Sequence, residues 1–251
     1  MPERPWKDEF TLLCERCGYV IEGLDTAGAC PECGKTIAES LPERRVGTAW
    51  QNHETWRPLI HAAFGTIARP FRTLDLMKID ERSGRDLAMR HALAASVLCI
   101  APIWLTYLVL PRERYTDLTI ATMVISPLFL FLGIGLIGAI CNVLTSIEAR
   151  GLVVFGARRG ARLDGAVAWS ICGHGSAGWL LAGAGLGWSV TASLWAIVVF
   201  TNQHAAGVAF WVGAILTLTG FLFFETFAWL GLRRCRFANR VRSTEASPER
   251  E

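Results

Sequence analysis

Four cysteines near the N-terminus have the spacing of a metal site. Cys14, Cys17, Cys30 and Cys33 form the pattern C-x2-C-x12-C-x2-C, and a glycine follows each pair. Each pair can form a tight turn that directs two sulfurs towards one point, and the glycine relieves the backbone where the chain reverses. Two such turns, brought together by a short hairpin, would place four thiolates in the tetrahedron that structural zinc prefers. The sequence therefore predicts a small β zinc ribbon with one structural Zn²⁺ ion held by these four cysteines.

Other chemistry at the same cysteines stays open. A four-thiolate iron site uses similar turns, and disulfides or a dithiol redox centre would use the same residues. We favour zinc over disulfides because structural disulfides are rare in the reducing cytoplasm, where the basic segments described below place the N-terminus. The remaining cysteines lack this spacing, and we interpret three of them as small core residues. The fourth, Cys235, lies between arginines and could carry an acyl group.

The sequence does not favour an enzyme. A metal with four cysteine ligands has no open coordination position for a substrate. The chain contains no phosphate-binding loop, no HExxH motif and no Ser/His/Asp or Cys/His constellation. We therefore expect no catalytic residues, and no cofactor other than the structural zinc.

The composition is that of a membrane protein. Of the 251 residues, 52% are hydrophobic, and the mean hydropathy is +0.34. Four apolar runs are long enough for the ~20 helical residues that cross a bilayer. These runs are 92–110, 118–141, about 177–200 and about 206–232. The first twenty residues are charged and lack the apolar run of a secretory signal, so we expect the N-terminus to stay on the side where it was made.

A fifth span is the alternative to four. Apolar character begins again at Ala166, and a break near Gly187 would divide this region into two short spans. Lysine and arginine accumulate on cytoplasmic loops, and they gather before the first run, between the second and third, and after the last. Four spans place all three basic segments in the cytoplasm, so we favour four. Both termini are then cytoplasmic, and residues 142–165 form a cytoplasmic linker.

The predicted fold is an all-α polytopic helical bundle of four or five spans with the small N-terminal ribbon in front of it. Its predicted segments are a flexible N-terminus (1–12), the zinc ribbon (13–38), a linker (39–54), an amphipathic interfacial helical segment (55–90), the transmembrane helical bundle (91–232), and a tail that is first basic and then polar (233–251).

The interfacial segment has one apolar helical face. Its positions are Trp56, Leu59, Ile60, Ala63, Phe64 and Ile67. Arg57, His61 and Arg69 lie mostly off that face. Such a helix suits the membrane surface, but it could equally pack against its own protein, and both alternatives are open.

Two polar residues stand out inside the apolar runs. Glu225 is the only formal charge deep in a run. Such a residue is a functional candidate, for example in ion or proton transport, because a buried charge is costly unless it is paired or protonated. Because it is eight positions from Arg233, we expect a structural role, such as a hydrogen bond to another helix. We interpret His174 as an interfacial polar contact.

Small residues recur at four-residue spacing in the third run, as Gly178/Ala182 and Gly183/Gly187. Such pairs let helices approach closely. They predict close packing within the bundle or, as the alternative, self-association into a homo-oligomer.

Two sets of motifs carry a resemblance to known families. Through CGYVIEGL, CPECG and SLPERRVGTAWQ, the front half resembles bacterial zinc-ribbon membrane proteins. Through IARPFRTLDL, IEARGLVVFGARRGARL and GLRRCRFANR, the region after Trp56 looks like the Yip1-type multi-pass family. The second resemblance implies five spans, and its eukaryotic relatives act in vesicle traffic and bind small GTPases. It implies no activity for a bacterial member and no functional residues in the membrane part.

The sequence thus predicts a multi-pass protein of the cell inner membrane with a cytoplasmic N-terminus. Its zinc ribbon would dock a protein partner, and the bundle in the lipid bilayer would act as an anchor or assembly platform. We do not expect nucleic-acid binding, because residues 1–54 carry ten acidic and only six basic side chains and phosphate contacts need lysine and arginine. The alternative is a small transporter or channel with a regulatory zinc ribbon.

Overall fold

The computed structural model of the chain describes residues 7–109 and 119–241, with side chains from residue 127 onward in the second range. Two 3-10 turns, Ile37–Ser40 and Pro42–Arg44, precede the α-helices. These are α1 (Ala49–Asn52), α2 (Trp56–Ala68), α3 (Pro70–Leu76), α4 (Glu81–Val109), α5 (Thr119–Arg158), α6 (Gly165–Gly175), α7 (Gly178–Val198) and α8 (Gln203–Arg234). The predicted ends of two apolar runs, Leu110 and Leu118, lie outside the described residues, as do residues 1–6 and 242–251.

Four helical stretches are long and apolar enough to cross a membrane. They are Glu81–Val109, Pro127–Arg158, Gly165–Val198 and Gln203–Arg234. This confirms a mostly helical protein with four candidate spans. The break predicted near Gly187 is wrong, because α7 continues through Gly187 and the chain turns at residues 176–177 instead. Helix α6, before that turn, would be about 16 Å long, which is too short for a hydrocarbon core of about 30 Å.

The two predicted linkers are largely helical in the structure. We expected the linker 142–165 after Cys141, but helix α5 continues to Arg158. It can do so because no proline interrupts this stretch. The chain leaves the helix at Gly160, whose φ of +65° is the left-handed conformation that ends many helices. In the other linker, 39–54, Trp50 is fully buried and packs with Ala62 and Leu87. The chain therefore has a fixed path at both places.

The described residues form two compact units. Unit 1 contains residues 7–87, 146–175 and 226–241, and unit 2 contains residues 88–145 and 176–225. The three segments of unit 1 are separated along the chain by α4 and α5 and then by α7 and α8.

Unit 1 is built around α6. From Ala166 to Gly175 every residue of this helix except Trp169 is buried. The start of α4 lies directly against it, since a Cβ at Gly84 would be 2.4 Å from the carbonyl oxygen of Trp169. Near the end of α8, Gly231 packs against the Ile171 side chain in the same way. Helix α6 is therefore the core of unit 1.

Unit 2 uses the predicted small residues for its own packing. A Cβ at Gly183 would lie 2.2 Å from the carbonyl oxygen of Ala95 on α4, and one at Gly178 would lie 2.4 Å from the carbonyl oxygen of Gly220 on α8. The close packing of helices within the bundle is confirmed, because these glycine faces are occupied within the chain.

Candidate metal centre

The four cysteines of the predicted site come together. Their sulfur atoms all lie within 4.8 Å of one another. The Cys14 and Cys33 sulfurs are 3.5 Å apart and those of Cys17 and Cys30 are 3.6 Å apart. A regular tetrahedron with metal–sulfur distances of about 2.3 Å has sulfur–sulfur edges of about 3.8 Å. All four cysteines are free thiols, so the cluster could hold one metal ion.

The two cysteine pairs have the same local structure, 16 residues apart. LLCERCGYVI (12–21) and GACPECGKTI (28–37) align position by position. In each, the glycine N–H donates to the carbonyl oxygen of the first cysteine, Gly18 to Cys14 at 2.8 Å and Gly34 to Cys30 at 2.9 Å. Both glycines have positive φ, +83° and +70°. The predicted turn is confirmed, and the repeat that produces it twice is visible in the sequence.

The β character of the predicted ribbon is not confirmed. Each turn is closed by a single antiparallel bridge, Leu13 with Val20 and Ala29 with Thr36, and the described residues form no sheet. After the first bridge the chain turns again at Gly23, where φ is +79°. We call residues 13–38 the cysteine module.

The module has a very small apolar core. Ile21 and Ile37, which are equivalent in the repeat, are 2% and 3% exposed and pack with Cys14 and Cys30. A core of this size cannot offset the conformational entropy of ordering the segment, so such modules need a metal or other support.

The thiols influence one another's ionisation. Burial opposes the thiolate of Cys14, but the backbone N–H groups of Cys17 and Arg16 and the thiol of Cys33 outweigh it and lower the pKa of Cys14 to about 7. Burial, together with the neighbouring sulfur of Cys30, raises the pKa of Cys17. One thiolate thus forms readily near neutral pH, whereas keeping four thiolates together requires a cation.

The two glycines provide a matched pair of variants. Alanine at Gly34 would meet no atom within 4 Å and would add only the strain of a positive φ, about 1–2 kcal/mol. Alanine at Gly18 adds the same strain, and its Cβ would also lie 2.7 Å from the ring of Phe237. We expect Gly18→Ala to lower the thermal stability of the full chain in detergent clearly more than Gly34→Ala. Equal melting temperatures would show that the Phe237 contact does not hold the module.

A buried asparagine connects the module to the C-terminal segment. Asn239 is 1% exposed, and its amide uses all its hydrogen-bonding positions. Its Oδ1 accepts from the Leu13 N–H at 3.0 Å and from Arg162 Nη2 at 2.6 Å. Its Nδ2 donates to the carbonyl oxygens of Leu13 at 2.7 Å and Ser40 at 2.5 Å. Leu13 precedes the first cysteine, so this amide fixes the start of the module.

An ion pair supports the same contact from the other side. Arg45 is buried, and its Nε and Nη2 donate to Glu15 Oε1 at 3.1 and 3.0 Å, between the first two cysteines. Its Nη1 donates to the Leu74 carbonyl oxygen at 2.8 Å. Burial disfavours the charged guanidinium, but the Cys235 sulfur and the Glu15 carboxylate outweigh it and raise the pKa of Arg45. This arginine ties the module to the end of α3.

Arg162 completes the contact. It lies after α5, it is 6% exposed, and it donates to the carbonyl oxygens of Thr11 and, at 2.8 Å, Ala238. Burial lowers its pKa, and its hydrogen bonds to carbonyl and amide oxygens compensate the buried guanidinium. We call Glu15, Arg45, Arg162 and Asn239 the polar network.

The sequence did not predict the polar network. Arg162 belongs to the basic segment between the second and third apolar runs, which was interpreted through its charge, and Asn239 belongs to the tail predicted to be first basic and then polar. The residues of the network could have been sought in the two basic segments ARRGARL and GLRRCRFANR, because their basic residues have specific partners in the structure. Arg240, for example, forms ion pairs with Glu9 and, at 3.4 Å, with Asp164.

Two single-residue predictions have clear outcomes. Cys235 is fully buried, and burial raises its pKa to about 11, so the suggestion of acylation is wrong: the thiol is not accessible. His174 is fully buried and makes polar contacts, as predicted. Its Nδ1 lies 2.8 Å from the Ser170 carbonyl oxygen, and its Nε2 lies 3.0 Å from the Thr48 hydroxyl. The carbonyl can only accept, so Nδ1 carries the proton.

Glu225 is half-buried on α8, and within the described part of the chain its carboxylate has no hydrogen bond or ion pair. The hydrogen bond that we predicted to another helix is therefore not found there. Because no bond would be lost, we expect Glu225→Gln and Glu225→Leu to leave thermal stability in detergent unchanged or slightly higher. A transport role predicts proton or ion flux in liposomes that Glu225→Gln abolishes, and that result would promote the transporter alternative.

Four candidate membrane helices and a four-cysteine cluster fit a membrane protein with a metal site. Comparison with protein-family models, with curated proteins and with solved structures gives no match for this chain. The resemblances to zinc-ribbon membrane proteins and to the Yip1-type family therefore stay predictions.

Proposed function

We propose that this chain is a non-enzymatic membrane protein whose zinc-bound cysteine module is held in a fixed orientation to dock a protein partner. The observation that carries the proposal is the polar network. A segment that only covered the helix ends would not need buried charges and a fully bonded amide to fix it. A rigid module, in contrast, presents the same outer surface at all times.

The outer surface of the module is acidic. Its exposed charged residues are Glu22, Asp25 and Glu32 against Arg16. Among the described module residues the exposed large apolar side chains are Tyr19 and Leu24, at 38% and 37%, which is too little for an apolar docking patch. We infer a partner with a basic surface, recognised mainly by charge. The same charge disfavours nucleic acid.

Zinc is the metal that we propose for Cys14, Cys17, Cys30 and Cys33. Four thiolates in a closed tetrahedron match structural zinc, and the fixed polar contacts around them match a role in folding. A bound Zn²⁺ would neutralise the thiolates and supply folding free energy to the module. With four protein ligands, it would not bind substrate.

The docking proposal predicts a charge-dependent partner. The full chain is purified with a mild crosslinker from its own membranes, alongside Glu22→Gln/Glu32→Gln and the control Glu43→Gln/Glu54→Gln, which removes two exposed carboxylates outside the module. The same protein should crosslink to the wild type and the control and be lost from the module variant. Equal capture by all three proteins would rule out the acidic surface as the docking site.

We propose that unit 1 lies in the cytoplasm and that the chain resides in the inner membrane. Arginines at the ends of the candidate spans stack on aromatic rings, Arg158 on Phe155 at 5.9 Å and Arg233 on Trp229 at 4.0 Å. Arginine and aromatic side chains are enriched where helices leave a bilayer, and arginine favours the cytoplasmic side.

Reporter fusions test this topology. Fusions at the N-terminus and after Glu251 should both report the cytoplasm, and an insertion between Thr201 and Gln203, which joins α7 to α8, should report the opposite side. Termini on opposite sides would revive the five-span alternative.

A further inference from the structure

Helices α2 and α3 carry an exposed aromatic surface. The apolar face predicted for α2 divides in two: Ala63 is buried in unit 1, whereas Trp56, Ile60 and Phe64 are 66%, 47% and 72% exposed. These three residues have four-residue spacing and therefore form one stripe. On α3, Phe71 is 52% exposed. The helix thus packs on its own protein and also keeps an outward apolar stripe.

This surface lies at the end of a candidate span. Arg234, the last residue of α8, stacks over the Phe71 ring at 5.4 Å and forms an ion pair with Asp75 at 2.6 Å. Helix α3 ends at Leu76, and α4, the first candidate span, begins at Glu81. Both connections place α3 next to the ends of two candidate spans.

A basic cavity of about 240 Å³ lies between α2 and α3. His61, Arg69 and Arg72 line it, and its lining contains no carboxylate. Within the residues that the structure describes, these three side chains are exposed and have no hydrogen bond or ion pair. Two neighbouring arginines, Arg45 and Arg234, by contrast form ion pairs with Glu15 and Asp75.

We propose that this cavity binds the phosphate of an anionic phospholipid headgroup. Unpaired guanidinium groups match phosphate oxygens in charge and geometry. The cavity is smaller than the ~300–1,000 Å³ of pockets for drug-sized ligands, so it takes a headgroup while the acyl chains stay in the bilayer. Phe64 and Phe71 would lie in the acyl boundary beside it, as in other interfacial helices.

The test uses the full chain in detergent and native mass spectrometry with phosphatidylglycerol or phosphatidylcholine. Wild-type protein should bind phosphatidylglycerol more tightly than phosphatidylcholine. Arg69→Gln/Arg72→Gln should weaken phosphatidylglycerol binding about 30-fold and leave phosphatidylcholine binding unchanged. Because both arginines are exposed, the melting temperature should stay within about 2 °C of the wild type.

The control removes two other arginines, as Arg44→Gln/Arg82→Gln, which are exposed and lie outside the cavity. It should keep the wild-type preference. Equal weakening in the control would reduce the effect to net charge, and no lipid preference in the wild type would also overturn the proposal. Displacement of the lipid by millimolar inorganic phosphate would identify a site for free phosphate and refute the lipid assignment.

Discussion

Cys17→Ser in the full chain is expected to remove the bound metal and unfold the cysteine module. Structural zinc contributes about 10–16 kcal/mol of apparent binding free energy in zinc-finger peptides, and the small core around Ile21 and Ile37 cannot replace it. Elemental analysis should find about one zinc per wild-type chain and almost none in the variant. Limited proteolysis should cut the variant within residues 13–38 and spare the wild type.

Cys99→Ala is the matched control. Cys99 is also a buried free thiol, but it lies in unit 2 and outside the four-sulfur cluster. This variant should keep its zinc and its resistance to protease. Iron in place of zinc in the wild type, or a module that resists protease after its metal has been removed, would refute structural zinc.

Asn239→Leu is expected to have the largest effect among variants outside the cysteines. It leaves the Leu13 N–H and the carbonyl oxygens of Leu13 and Ser40 without their partner, and it removes one acceptor from the buried Arg162. Unsatisfied buried groups cost about 1–3 kcal/mol each, so we expect a loss of about 3–5 kcal/mol. In a chain of this size the melting temperature should fall by about 6–20 °C.

Asn52→Ala serves as the control, because Asn52 is exposed and surface changes are usually within about ±0.5 kcal/mol. Differential scanning fluorimetry in detergent measures both variants. If Asn239→Leu melted at the same temperature as Asn52→Ala, the polar network would not contribute to stability.

The local parts of the site could be predicted from the sequence. A C-x-x-C-G turn is defined within five residues, and the structure shows both turns with their glycines at positive φ. The apolar runs likewise correspond to helices, because the need to satisfy backbone groups in lipid leaves few alternatives. The end of α5 could not be predicted from the spacing, because arginine and glycine in the stretch 142–158 are as typical of a loop as of a helix.

The polar network that holds the cysteine module could not be predicted, because its hydrogen bonds join residues that are far apart in the sequence. Leu13 and Asn239 are 226 residues apart, and no local pattern marks an asparagine that will be buried. Arg162 was interpreted through its charge, which indicates topology in most membrane proteins but here also reflects buried hydrogen bonds. The outward stripe on α2 could not be predicted for a similar reason. Helical spacing identifies an apolar face, but it does not show which part of that face packs against the protein.

We propose that the metal, the cysteine module and the C-terminal segment form one cooperative unit. Hydrogen–deuterium exchange of residues 235–241 in wild-type protein and in Cys17→Ser is the direct test. The substitution lies in the module, whereas the measured segment contains none of the four cysteines of the metal site. Backbone protection of this C-terminal segment is expected to fall together with that of residues 13–38. Full protection of residues 235–241 in a variant whose module has unfolded would contradict it.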